Sequence, residues 1–288
     1  MTDPSKAPHG ARFVAVLLPE TKQILDGAGY YGPMIDGLNA GLMERRIFMR
    51  PVQCLHEYQK EHFLHSAVSM YSGVVILGTF FTSELFLRAV AEALPGPKVM
   101  LDHHVPDLGI HGVCEDSAAG MSALVGHLLS LGHRHVAYLD MSNPQANPWK
   151  RDGINGALTA AGLPALGRGW VAGCRDKFAD VSVALDWFMG MNPRPTAIVC
   201  CNDERALLLL QAAAERGLRV PGDLSIAGYG DNAVRTGRSS SLTSVWVDPV
   251  EMGRRGAELV TADPGARPEL ALVAPHLEIR GTTAPPPG

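Results

Sequence analysis

Residues 195–232 read PTAIVCCNDERALLLLQAAAERGLRVPGDLSIAGYGDN. Residues 196–201 are a short, β-branched, apolar run, the signature of a strand buried on both faces of a parallel sheet. Asn202-Asp203 breaks that run, and Asp is a strong helix N-cap, so Asp203 is expected to cap the next helix. Residues 204–216 are rich in Leu and Ala, good helix formers. Gly217 stands where a helix needs a left-handed residue past its end. The 219–223 segment RVPGD is a turn, and 224–228 is a second apolar strand. A strand–helix–strand unit of this kind crosses over right-handed, so both strands run the same way. Asn202-Asp203 and Tyr229-Gly230-Asp231 therefore leave the sheet at one edge, where open α/β sheets take their ligands.

Outward from this unit the same alternation repeats. Strands are expected at 13–18 (FVAVLL), 48–54, 74–77, 98–101 and 112–114, with helices at 34–45, 60–70, 84–94 and 117–131 between or after them. The pattern restarts past Gly132, with strands at 135–139 and 170–172 and helices at 150–161 and 181–189. Residues 242–247 (LTSVWV) are strand-like, 249–260 helical, and 276–280 a last strand. The fold class is α/β with parallel sheets, and the restart predicts two similar Rossmann-like lobes rather than one wide sheet. Residues 1–10 and the Pro-rich end, 285–288, are expected to be disordered.

The 288 residues are 46% hydrophobic and 19% charged, enough for two lobes of about 100–150 residues each. A net charge of −4 excludes the basic footprint of a nucleic-acid-binding surface. Five Cys (54, 114, 174, 200 and 201) show no metal or redox spacing and read as small buried hydrophobes in a reducing cytosol. The amino terminus has no apolar signal core, and no run reaches the roughly 20 residues of a membrane span. A cytoplasmic location is therefore the expectation.

Several segments resemble the lactose/galactose repressor (LacI/GalR) family of transcription regulators. They are 127–139 (HLLSLGHRHVAYL), 195–198 (PTAI) with Asn202-Asp203, 217–221 (GLRVP), 225–229 (SIAGY), and 242–245 (LTSV) with 251–254 (EMGR). Any one is weak; their order and spacing over nearly the whole chain carry the resemblance. It implies the periplasmic-binding-protein type I fold, two lobes joined by three crossovers, with one lobe at 11–131 plus 247–262 and the other at 132–246 plus 268–284. It also implies a small-molecule effector, a sugar or nucleoside-like metabolite, held between lobes that close on it, and a homodimer. Family repressors carry a DNA-binding headpiece of roughly sixty residues before the first strand. Only a short segment precedes Phe13, so this chain as it stands is expected not to bind operator DNA, which would need that headpiece.

The resemblance also nominates ligand contacts. Asn202 matches the family's ligand-binding Asn; its amide suits vicinal hydroxyls, against the plainer role of a turn former. Asp116 matches a cleft-lining Asp, against capping the helix that starts at Ser117. Lys150 stands where the family usually has Arg, with Arg151 beside it, and a point charge does not replace a planar fork. Gly230 departs from the family's Tyr/Phe-Asp-Asp pattern, and Asp231 is the candidate to supply the missing carboxylate. Trp149, Trp246 and Tyr30 fall in segments the fold would bring near the ligand, where an aromatic face stacks on a sugar ring or a base.

His103-His104, His133 and His135 lack the Cys or carboxylate that would complete a metal site. No nucleophile elbow, phosphate loop or acid/base pair is visible, so neither cofactor nor enzymatic activity is expected. Residues 207–210 are four consecutive Leu, more than one helix stripe can bury, which suggests a self-association face. The reading is an effector-sensing domain of a transcription regulator. A solute-binding protein of a sugar transporter is the alternative, opposed by the absent export signal.

Overall fold

A computed structural model describes residues 12–18, 31–54, 56–66, 70–78, 81, 83–94, 96–141, 148–175, 177–231, 237 and 241–288. The chain divides into two compact units, residues 1–115 with 248–273 and residues 116–247 with 274–288. It passes from one to the other three times.

The first unit holds β1 (Arg12–Leu18), α1 (Tyr31–Glu44), β2 (Ile47–Gln53), α2 (Glu57–Ser66), β3 (Gly73–Leu77), α3 (Glu84–Ala93), β4 (Lys98–Leu101) and β5 (His111–Glu115). The second holds α4 (Ser117–Ser130), β6 (Val136–Met141), α5 (Pro148–Ala160), β7 (Val171–Cys174), α6 (Phe178–Met189), β8 (Ala197–Cys200), α7 (Asp203–Glu215), β9 (Ser225–Tyr229) and β10 (Thr243–Val247). The chain then returns α8 (Pro249–Val260) and β11 (Leu270–Val273) to the first unit and ends with β12 (Pro275–Glu278) in the second.

Each unit is built on a six-stranded sheet. The first runs β11-β5-β4-β3-β1-β2, all parallel. The second runs β12-β10-β9-β8-β6-β7, parallel except for β12, which pairs antiparallel with β10. Strands β3, β8 and β9 are buried along their full length, as their unbroken apolar runs require of strands covered on both faces. The two-lobed α/β expectation is thus met.

Backbone contact sets the packing in the first unit. A Cβ at Gly37 would strike the Val250 carbonyl, and one at Gly253 would strike that of Met34. Two glycines on facing helices thus bring α1 and α8 into backbone contact, closer than side chains permit.

The expected lobe boundaries need correction in two places. Helix α4 belongs to the second unit, because Met121, Leu124, Val125 and Leu128 share one core with Val136, Tyr138, Ile154 and Leu158. Strand β11, which has no counterpart among the expected elements, pairs with β5 in the first unit, Leu270 opposite Gly112 and Val273 opposite Glu115. Its burial pattern is mixed because it is an edge strand, so it lacks the continuous apolar run of its neighbours.

The carboxyl end of the chain is not disordered as expected. Thr282 is buried and its carbonyl accepts from Ile226 N at 2.9 Å. Ala284 is bonded to Ser225, and Pro286 lies against Gly132. The expected disorder of residues 1–10 lies outside the described residues. Among the described residues no helix is long and apolar enough to cross a membrane.

Candidate functional site

In the second sheet the chain leaves β6 toward β7 on one side and continues from β7 to β8 on the other side of β6. That reversal makes the carboxyl ends of β6 and β8 a topological switch point, where the flanking loops diverge and leave a crevice. Lys150 opens α5 after β6, and Asn202 opens α7 after β8. The Lys150 ammonium donates to the Cys201 carbonyl at 3.1 Å and lies 3.7 Å from the centre of the Tyr229 ring. One cation therefore ties the exits of β8 and β9 to the start of α5. Helix α4 is brought to the same place: the Ala118 backbone abuts Gly153, and the Tyr229 ring abuts Gly120. The first contact needs glycine, because a Cβ at Gly153 would collide with the Ala118 carbonyl, while one at Gly120 would be tight against side chains.

Asn202, not Asp203, caps α7. Its Oδ1 accepts from Arg205 N at 3.0 Å, in the extended backbone conformation of an N-cap. The expectation for Asp203 is overturned because its carboxylate is turned inward, 3% exposed, and accepts from Ser244 Oγ at 2.6 Å. Capping takes only the amide oxygen of Asn202, so its NH2 can still serve a ligand.

Asp116 caps α4, its Oδ1 accepting from Ala119 N at 2.9 Å. Asp231 is buried at φ 53° and is gripped by Arg280, whose Nη1 and Nη2 donate to its two oxygens at 2.6 and 3.1 Å. The preceding Gly230 has φ 111°, a conformation that side chains resist, which explains why glycine stands there. The Asp231 carboxylate is thus committed to an ion pair within the protein.

Lys150 and Arg151 take different partners. Arg151 Nη2 donates to Asp140 Oδ2 at 2.6 Å, near the end of β6. Trp149 is exposed, and Trp246 is half-buried with its ring 5.2 Å from that of His276 on the neighbouring strand. Tyr30 lies outside the described residues. The structure therefore brings Lys150, Asn202 and Asp231 to one sheet edge and places Asp116 two residues before the Ala118 contact.

Sequence reasoning missed four residues of this neighbourhood: Asp140, Arg205, Ser244 and Arg280. Asp140 has a local signal, a carboxylate closing an apolar strand. Arg205 has none: it is 2% exposed on the first turn of α7, its Nε and Nη2 donating to the Cys174 carbonyl at 3.3 and 2.9 Å. Burial pushes the Cys201 thiol up to about 11 even though the Arg205 and Lys150 cations pull it down. That thiol is a packing group, not a nucleophile.

In the first unit, Tyr31 donates its hydroxyl to Asp102 Oδ2 at 2.9 Å, and Asp102 has the left-handed φ of 63° at the exit of β4. His103 and His104 come next in the chain, both held below the usual imidazole value by burial. His133 is fully buried between Thr196 Oγ1 and the Ala284 carbonyl, each 2.8 Å away. Among the described residues no group of three or more His, Cys, Asp or Glu could hold a metal ion.

Residues 125–283 match the family model for the periplasmic binding protein-like domain. The ribose operon repressor of Haemophilus influenzae is 29% identical over 174 residues, 60% of this chain and 52% of that protein. The HTH-type transcriptional regulator GalS of Salmonella typhimurium is 24% identical over 249 residues, 86% of this chain and 72% of that protein. The chain thus spans about half of the first relative's length. Among solved structures, a LacI family transcriptional regulator from Enterococcus faecium with bound ribose superposes with a TM-score of 0.74 at 21% identity, covering 95% of this chain and 99% of that one. This chain belongs to the periplasmic-binding-protein-like family and is related to the lactose/galactose-type repressors.

Proposed function

We propose that this chain is the effector-sensing part of a LacI-type transcription regulator and that its effector is a small polyhydroxylated molecule, a sugar or nucleoside-like metabolite. The observation that carries this reading is the juncture of Lys150, Cys201 and Asn202 at the switch point of the second sheet. There a cation and an amide whose NH2 is unused among the described residues meet at one sheet edge. Sugar hydroxyls take that mixture of donors and acceptors, with the exposed Trp149 ring nearby in the chain as an apolar face. A regulator for ribose among the sequence relatives, and a ribose-bound structural neighbour, support a pentose as the first compound to try.

Asn202 and Lys150 are the proposed hydrogen-bonding contacts, with the outer oxygen of Asp116 and the exposed Trp149 ring as further ones. The regulator would act as a homodimer and reach DNA through a headpiece. Binding at the strand exits would shift an equilibrium between two states of the domain, by no more than the ligand's differential affinity for them.

A thermal-shift screen over pentoses, hexoses, sugar acids and nucleosides tests this directly. A compound that binds only the folded state raises Tm as its concentration exceeds Kd. A flat response across the whole panel would remove the proposal.

A further inference from the structure

A groove of about 320 Å³ lies on the flank of the second unit, lined by Asp140, Met141, Arg151, Leu166, Arg168 and Val171 along with Gly167 and Gly173. Neither Lys150 nor Asn202 lines it. Its volume is within the range of pockets that hold small metabolites, on the order of 300–1,000 Å³. Its charge is unbalanced. Two guanidinium groups face it, with a single carboxylate, and that carboxylate is already engaged at both oxygens. Asp140 Oδ2 accepts from Arg151 at 2.6 Å, and Oδ1 accepts from Met141 N at 2.8 Å.

Two sets of donors remain. Arg151 Nε is buried without a hydrogen-bond partner among the described residues. Arg168 is exposed at the rim and makes no ion pair among them. A buried unsatisfied N–H in a native protein calls for a water or an ion that completes it. The fixed fork of a guanidinium matches the two oxygens of a carboxylate or phosphate. Helix α5, which carries Arg151 in its first turn, has no acidic residue there to offset the positive end of its dipole. Leu166, Val171 and Met141 give the rest of the groove an apolar wall.

We propose that this groove is a second ligand site, taking a small oxyanion, a carboxylate or phosphate, whose charge is held by Arg168 and Arg151 while its carbon body lies on Leu166 and Val171. Asp140 is a positioning residue: it fixes the partly exposed Arg151 guanidinium at the groove wall. The site is independent of the effector contacts proposed above and stands whether or not a sugar binds there.

The test is an NMR titration of the 15N-labelled protein with two probes, inorganic phosphate and succinate, at an ionic strength held constant with sodium chloride so that general screening is equal throughout. The expected result is saturable shifts of the Gly167, Arg168 and Gly173 amides with at least one probe, at a Kd of about 1 mM or tighter. Which probe saturates identifies the source of the oxyanion as phosphate or carboxylate. Arg168→Ala, a change at an exposed side chain, should weaken that binding about tenfold or more, roughly the effect of one charge-assisted hydrogen bond. Shifts that never saturate, that cluster away from these three amides, or that persist with equal affinity in Arg168→Ala would overturn the proposal.

Discussion

Arg280 and Asp231 form a two-pronged ion pair at the exit of β9, and the same guanidinium donates to the Leu242 carbonyl at 2.7 Å. Asp231 N donates to Ser244 Oγ, which in turn donates to Asp203, so one polar network links the ends of β8, β9 and β10. The Asp231 side chain is 9% exposed and that of Arg280 is 19% exposed, so little water screens the pair. Arg280→Ala leaves a buried carboxylate without its partner and should lower stability by about 2–4 kcal/mol. Urea melts check this, and Asp231→Asn in the Arg280→Ala background should restore part of the loss by removing the stranded charge.

Replacing Gly253 by Ala should be among the most damaging small changes in the chain. The new methyl would collide with the Met34 carbonyl, and backbone cannot step aside as a side chain can. A loss of about 3 kcal/mol or more is expected from overpacking of this kind. Gly156, where a Cβ meets nothing, is the control on a helix of the other unit. There Gly→Ala should be neutral or mildly stabilising, by about 1 kcal/mol at most. Thermal melts of the two variants should part in opposite directions.

Acid should destabilise the protein well before carboxylates titrate. Burial holds His103, His104, His111, His127 and His133 below the ordinary 6.5. The folded state thus refuses protons that the unfolded chain accepts. Stability from this source is complete above 6.5 and is lost as pH falls from there through the folded values. His133 must carry its proton on Nε2, since the Ala284 carbonyl it meets can only accept. A melting temperature that is level above neutrality and declines below pH 6.5, with a shallower decline in His133→Gln, is the expected profile. Carboxylates held low by arginine, such as Asp180 and Asp186, contribute only in far more acidic solution.

The five cysteines should be silent toward thiol reagents in the native protein. All are buried, and burial pushes Cys54 and Cys201 up to about 11 and Cys114 to about 12. Thiolate is the reactive form, so its scarcity and its inaccessibility act together. Colour development with a disulfide reagent should await denaturant and then report five thiols per chain.

Strand and helix order was legible because most strands here are largely apolar runs and helices such as α3 and α8 carry a clear apolar face. Residues 98–101 and 249–260 have the expected bounds. The illegible parts depend on contacts made far along the chain. Strand β11 is short and half-exposed, so its four residues look like linker until β5 is beside them. The place of α4 is set by its partners in the second core, not by its own pattern. Asp231 read as a free carboxylate because Arg280, 49 positions later, leaves no trace near it in sequence. The cap on α7 was misassigned by one residue, since both Asn and Asp cap well and only the inward hydrogen bond from Ser244 decides between them.

The central claim is that the Asn202 amide, through its NH2 group, recognises a sugar-like effector. Asn202→Asp separates that role from helix capping, because Asp keeps the oxygen that Arg205 N needs and loses both amide donors. Titration calorimetry with ribose, or with the strongest hit of the screen, should show an affinity about 10- to 100-fold weaker in Asn202→Asp, the loss of one or two buried hydrogen bonds to ligand. The melting temperature without ligand should stay near that of the unaltered protein. Equal affinity in the two proteins would contradict the account, for it would mean that the effector is held somewhere other than the exit of β8.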